Sequence, residues 1–169
     1  MIFILRTPAI ALLLATLCAP TLYAEVTSVK LTDRYLIEDG RQFGDTGTYE
    51  RIEGKITFAV DPGNPLNQVI VGLDRAKRNL RGMVEATGDL LILRPTNLQF
   101  GNGVALVDIA NRGRLTALGF NRGGSGPYGD GFLMREGYTI VWVGWEFDAP
   151  SERPIHLVVP SADGFPVGG

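Results

Sequence analysis

From Tyr49 to Asp61 the chain reads YERIEGKITFAVD, and polar and apolar positions alternate. Ile52, Ile56, Phe58 and Val60 fall on one side, and Arg51, Glu53, Lys55 and Thr57 on the other. A period of two predicts a strand with one wet face, as in antiparallel sheets. Asp61-Pro62-Gly63-Asn64-Pro65 ends it, because proline has no N–H to give to a ladder. MVEATGDLLILR, Met83 to Arg94, opens with the same alternation and closes in a solid apolar run before Pro95. Val26 to Ile37 predicts an edge strand.

Two later segments are patterned differently. Val104 to Ala110 (VALVDIA) and Tyr138 to Phe147 (YTIVWVGWEF) are almost continuously apolar. Such runs suit strands covered on both faces, the usual condition of a parallel sheet. The connector from Asn111 to Gly137 is long enough for a parallel crossover. It carries a short helix signal, GFLMRE over 131–136, with Asp130 as cap and Gly137 as a left-handed stop. These patterns predict an α/β fold in which antiparallel front strands lead into a parallel strand–helix–strand unit with a right-handed crossover.

The amino terminus sets the expected compartment. Arg6 precedes an apolar run from Pro8 to Cys18, and Pro20 leads to Leu22-Tyr23-Ala24. This is the layout of a signal peptide cut after Ala24, with a core too short to span a bilayer. Leu17 before Cys18 argues against a lipoprotein. The predicted location is therefore exported, periplasmic or extracellular. The chain's one cysteine lies in this leader, so the mature part is held by its core without disulfides. Arg6 being the leader's only charge, 15 Lys and Arg remain against 18 Asp and Glu, with the signs interspersed. That balance favours neither nucleic acid nor, once the leader is cut, a membrane. The 22 Gly and 10 Pro mark many turns rather than disorder, given the apolar content of 45%.

Most motif matches fail on context. Gly124, Gly126 and Gly129 have the spacing G-x-G-x-x-G, but no strand precedes them directly and Pro127 interrupts, so a surface loop is expected instead of a dinucleotide site. No lysine follows, which excludes a P-loop. Ser125 is followed two residues later by Pro127, and no serine of the chain sits in the G-x-S-x-G elbow of a nucleophile. His156 is the only histidine, and its neighbours Ile155, Leu157 and Val158 mark it as a strand residue. No metal site and no cofactor are predicted. Glu146 and Asp148 share one side of a strand exit, where a solvated turn is the simpler reading. Trp142 and Trp145 point to opposite faces, and core packing is expected for both.

The turn Asn111-Arg112-Gly113 directly follows a buried strand, and Gly113 allows its amides to face outward. Outward amides at the carboxyl end of a strand are the usual material of an oxyanion hole. The same residues suit an ordinary turn closed by an Arg salt bridge.

At these residues the chain resembles a family of exported bacterial proteins containing an α/β hydrolase domain. YERIEGKITFAVDP, LLILRP, the NRG of 111–113, GDGFLMREGYTIVWVGWEFD and the leader carry the resemblance, over most of Tyr49 to Asp148. It implies the amino-terminal half of an α/β-hydrolase fold and a serine-type hydrolase acting on ester or related acyl bonds, with a small ester-like substrate. It also implies a candidate oxyanion loop at Asn111, Arg112 and Gly113, with Asn111 standing where histidine is common. In that fold the nucleophile, acid and histidine follow the fourth strand. The expectation is therefore an amino-terminal portion, inactive alone: leader 1–24 and an incomplete domain 25–169, divided into a β-rich front 25–103, the strand–helix–strand unit 104–148 and a tail 149–169. The alternative is a non-catalytic exported β-rich ligand-binding module.

Overall fold

The alternating segment forms strand β2, Tyr49–Val60, which pairs antiparallel along its whole length with β3, Val84–Pro95. On the other side of β2 lies β1, Ala24–Leu36, the expected edge strand, with register shifts between Val26 and Ser28 and between Leu31 and Asp33. These irregularities interrupt the regular ladder along the edge strand. The computed structural model describes residues 24–162 and 165–166. Apart from Ala24, the leader lies outside the described residues, as do 163, 164 and 167–169.

Beyond β3 come β5, Thr139–Val143, and β4, Ala105–Ile109, giving the order β1-β2-β3-β5-β4. β5 is antiparallel to β3 and parallel to β4, with Val107 opposite Val141. β6, Leu157–Val158, pairs with β3 at Thr87 and Gly88. A separate ribbon joins β7, Ser161–Ala162, to β8, Phe165–Pro166.

The parallel pair is present, but the α/β fold class expected from the sequence is not. The structure is mostly a mixed β-sheet with one α-helix, α1, of four residues, Phe132–Arg135. Short 3-10 turns make up the other helical residues among those described. The physical reason lies in the connector. Gly124, Gly126, Gly129 and Gly131 all have positive φ, conformations no right-handed helix contains. Helix can start only after Gly131, where the Phe132 N–H donates to Asp130 Oδ1 at 2.9 Å, and it stops at left-handed Gly137. β5 is likewise shorter than its apolar run. At Gly144 the His156 carbonyl crowds the place a Cβ would take, and the chain leaves the sheet.

The core covers one face of the sheet. Leu91 and Leu93 of β3 and Ile140 and Trp142 of β5 pack against Ile37, Phe43, Ala117, Leu133, Met134 and Ile155, all buried. Phe43 meets Tyr49 edge-to-face, ring centroids 5.6 Å apart, and the Tyr49 hydroxyl donates to the Tyr138 carbonyl at 2.9 Å. Asp108 fastens the connector to this face. Its Oδ2 accepts the Trp142 Nε1–H at 2.7 Å and the Ala117 N–H at 2.6 Å, and Thr116 Oγ1 donates to Oδ1 at 2.7 Å. A carboxylate set inside an apolar strand is thus fully employed, as a polar group near the core must be.

On the opposite face Glu50 is buried, although the alternation puts it beside Ile52. Arg34 Nε reaches its Oε2 at 2.5 Å and Arg94 Nε its Oε1 at 2.8 Å. Two guanidinium partners from flanking strands keep that carboxylate from being orphaned.

Candidate functional site

Parallel pairing of β4 with β5 brings the residues after both strands to the same edge of the sheet. Asn111–Gly113 follows β4 as a 3-10 turn, and Glu146 and Asp148 lie just past β5. All five are brought together. The Arg112 backbone N–H donates to Glu146 Oε2 at 2.7 Å. Its guanidinium donates to Asp148 Oδ2 at 2.6 Å and to the Asp148 carbonyl at 3.1 Å. That hydrogen bond, reinforced by the charges of Asp148 and Glu146, raises the Arg112 pKa above its ordinary value. The arrangement is a turn closed by an arginine ion pair, and it also aims a backbone amide at an anionic oxygen.

The turn is conformationally tense. Arg112 has φ 51° and ψ 38°, and Gly113 has φ 70°. Non-glycine residues in the left-handed region persist only where their surroundings hold them there. Gly113 is also packed tightly: a Cβ would lie 2.5 Å from the Ile155 carbonyl oxygen and 2.7 Å from Arg153 Cβ. Asn111 is exposed, and its carbonyl accepts the Arg114 N–H at 3.1 Å.

Beside this turn opens a groove of about 770 Å³. Its floor is the apolar side of the front hairpin, Phe58 and Val60 of β2 with Val84 and Ala86 of β3. Ile70 and Leu73 form one wall, and Trp145, Phe147 and Leu157 another, with Arg112, Glu146 and Asp148 at the rim. Trp145, expected in the core, is 66% exposed and lines this groove, whereas Trp142 is buried as expected. The split follows from the end of β5 at Val143, which leaves Trp145 outside the ladder. The rim sums to one negative charge, a cation against two carboxylates.

Other singled-out residues lie elsewhere. His156 sits by β3: its N–H donates to Asp89 Oδ2 at 2.8 Å, its Nδ1 lies 3.5 Å from the same oxygen, and its Nε2 lies 3.0 Å from the Pro150 carbonyl. No serine is among these partners, and Ser125 is an exposed residue of the glycine-rich loop. Among the described residues no group of three or more His, Cys, Asp and Glu is placed to hold a metal. Pattern reading missed the groove wall at 69–73 and the anchoring role of Asp108. The lone acid inside VALVDIA was the available signal for the second, while nothing periodic marks the first.

No protein-family model, no curated protein and no solved structure matches the chain.

Proposed function

We propose that this exported chain binds a neutral, apolar ester-type molecule in the groove and by itself does not cleave it. The carrying observation is the juxtaposition of a large apolar groove with the tense Asn111–Gly113 turn at its rim. The groove accepts an acyl chain through burial of apolar area. The rim, one negative charge in sum, disfavours a free carboxylate and tolerates an ester carbonyl or hydroxyl. Cleavage needs an activated nucleophile with its base, and none of the serines lies in an elbow or, among the described residues, hydrogen-bonds to His156.

The test is a fluorescence titration of the full chain, since Trp145 lines the groove while Trp142 is shielded in the core. A long-chain methyl ester should change the emission saturably, and the matching fatty-acid anion should bind several-fold more weakly. W145F should lose the signal but retain ester in equilibrium dialysis. No saturable uptake, or preference for the anion, sinks this reading. So does turnover of short nitrophenyl esters that is abolished by changing Ser125 or His156.

One observation favours a second reading, that the same site is the amino-terminal portion of an exported serine-type acyl hydrolase. The parallel β4–β5 pair brings the amide-bearing turn and the Glu146–Asp148 exit together at the carboxyl ends of both strands, where the Arg112 N–H already meets a carboxylate oxygen. Coding sequence that continues downstream and contains G-x-S-x-G would support it. Downstream sequence without that motif would remove it and leave the binding module.

A further inference from the structure

The connection between β2 and β3 places opposite chemistries side by side. Leu73 and Ala76 anchor it, buried against Val84 with Val60 and Ile70 alongside. Gly72, left-handed at φ 75°, turns the chain between Val71, which is exposed, and Leu73, which is buried. Around that anchor four aliphatic side chains stand in water: Leu66, Val69 at 82% exposure, Val71, and Leu80, which is completely exposed. One exposed aliphatic residue needs no explanation, but four in one connection are an uncommon concentration.

The same connection carries Arg75, Lys77, Arg78 and Arg81 against a single acid, Asp74, between residues 65 and 82. Arg81 pairs with Glu25 of β1, and Arg78 reaches the Asp74 carbonyl at 3.4 Å. Among the described residues neither Arg75 nor Lys77 forms an ion pair. The chain as a whole carries −2, so this local excess of cations is hidden by the overall balance.

We propose that residues 65–82 form a docking surface for an anionic lipid bilayer. A polyanion such as nucleic acid would use the cations and leave the aliphatic tips in water. A neutral apolar partner would do the reverse. An anionic bilayer interface takes both: the tips enter the boundary between headgroups and acyl chains, and the cations meet lipid phosphates. Val69 also lines the groove, so the docked loop places the groove's wall at the membrane surface. This surface stands whether or not the groove takes an ester.

The test places an environment-sensitive fluorophore on the full chain at L80C in a C18S background, Cys18 being the one native cysteine. A second label at Q99C serves as control. Leu80 and Gln99 flank opposite ends of β3, about 35 Å apart by strand rise. With vesicles containing about a third phosphatidylserine, the label at 80 should shift to the blue and brighten, and the label at 99 should not. Because the leader is common to both proteins, label position separates contact by the loop from contact by the leader. R75Q/K77Q should weaken the response about 25-fold, about fivefold for each cation removed from an anionic surface. An unchanged melting temperature for that variant shows that its fold is intact.

Three results would overturn the proposal. One is a silent label at 80 while the protein sediments with vesicles. Another is an equal response to pure phosphatidylcholine. The third is an equal response to heparin without lipid, which would assign the loop to a soluble polyanion.

Discussion

The two faces of the β4–β5 pair differ more than their sequences do. On one, Leu106, Asp108, Ile140 and Trp142 meet the connector and the core; Ile140 and Trp142 have no solvent exposure. On the other, Val107 is 55% exposed, Ile109 is similarly exposed, and Val141 and Val143 are half-buried. The bare face is aliphatic at all of these positions, and the covered one mixes Leu106 and Ile140 with Asp108 and Trp142, so hydrophobicity alone would have covered the wrong face. What separates them is the connector, which crosses one face only and is pinned there by Asp108. Apolar character therefore states that a face is able to be buried, and topology settles which face is buried.

The sharpest way to break the contrast is Asp108→Ala. It leaves the buried Trp142 N–H and the Ala117 amide without their acceptor, and each lost partner costs about 1–3 kcal/mol. We expect a loss of about 3 kcal/mol in chemical unfolding. A loss no larger than for a surface valine would show that packing alone holds the connector.

Next comes Gly113→Ala, which adds a Cβ into the Ile155 carbonyl at a positive φ. Strain of this kind costs about 1–3 kcal/mol. The variant should also weaken ester binding in the groove, because the turn at its rim must shift. Equal stability of variant and parent would mean that residues 153–155 move aside freely.

Tyr49→Phe removes a hydroxyl that caps the Tyr138 carbonyl, for about 1 kcal/mol near neutral pH. Burial pushes the Tyr49 phenol far above its ordinary pKa. The folded chain thus holds that proton more tightly than the unfolded chain does. Its contribution is complete below the unfolded value of about 10 and is lost as the pH rises above it. Urea unfolding at pH 8 and pH 11 should show a steeper alkaline loss for the parent than for the phenylalanine variant, and parallel losses would contradict this burial.

The smallest effect belongs to the bare face. V107T/I109T should change stability by less than about 0.5 kcal/mol, as surface substitutions do. It should also reduce binding of a hydrophobic dye, since the face is aliphatic and open. A large destabilisation would reveal cover over this face.

Much of the sheet was legible. Strand β2 was visible through the dyad period of Ile52, Ile56, Phe58 and Val60, and β3 through the run ending at Pro95. The parallel pair was expected from VALVDIA, YTIVWV and the long connector, and it is present, but the cover on both faces that argued for it is absent on the Val107 and Ile109 side. The α/β class was not legible, because the same apolar runs serve a mixed sheet covered on one face by 3-10 turns. Of the candidate site, Asn111–Gly113 was visible from Gly113 and its place after a strand. The Glu146–Asp148 pair was visible only as a strand exit. The groove was invisible, since its parts come from β2, β3, the 69–73 wall and the segment after β5, none of which has a pattern pointing to the others.

By itself the sequence determined the local conformations: period-two strands, proline stops, and a short helix between Asp130 and Gly137. These depend on backbone sterics within a few residues. Tertiary structure alone decided which apolar face is covered, that Trp145 stands at a groove while Trp142 fills the core, and that the Arg112 amide meets Glu146. Those outcomes depend on chain segments far apart in sequence meeting in space. Burial and hydrogen bonding between them are set by that meeting and not by any local preference.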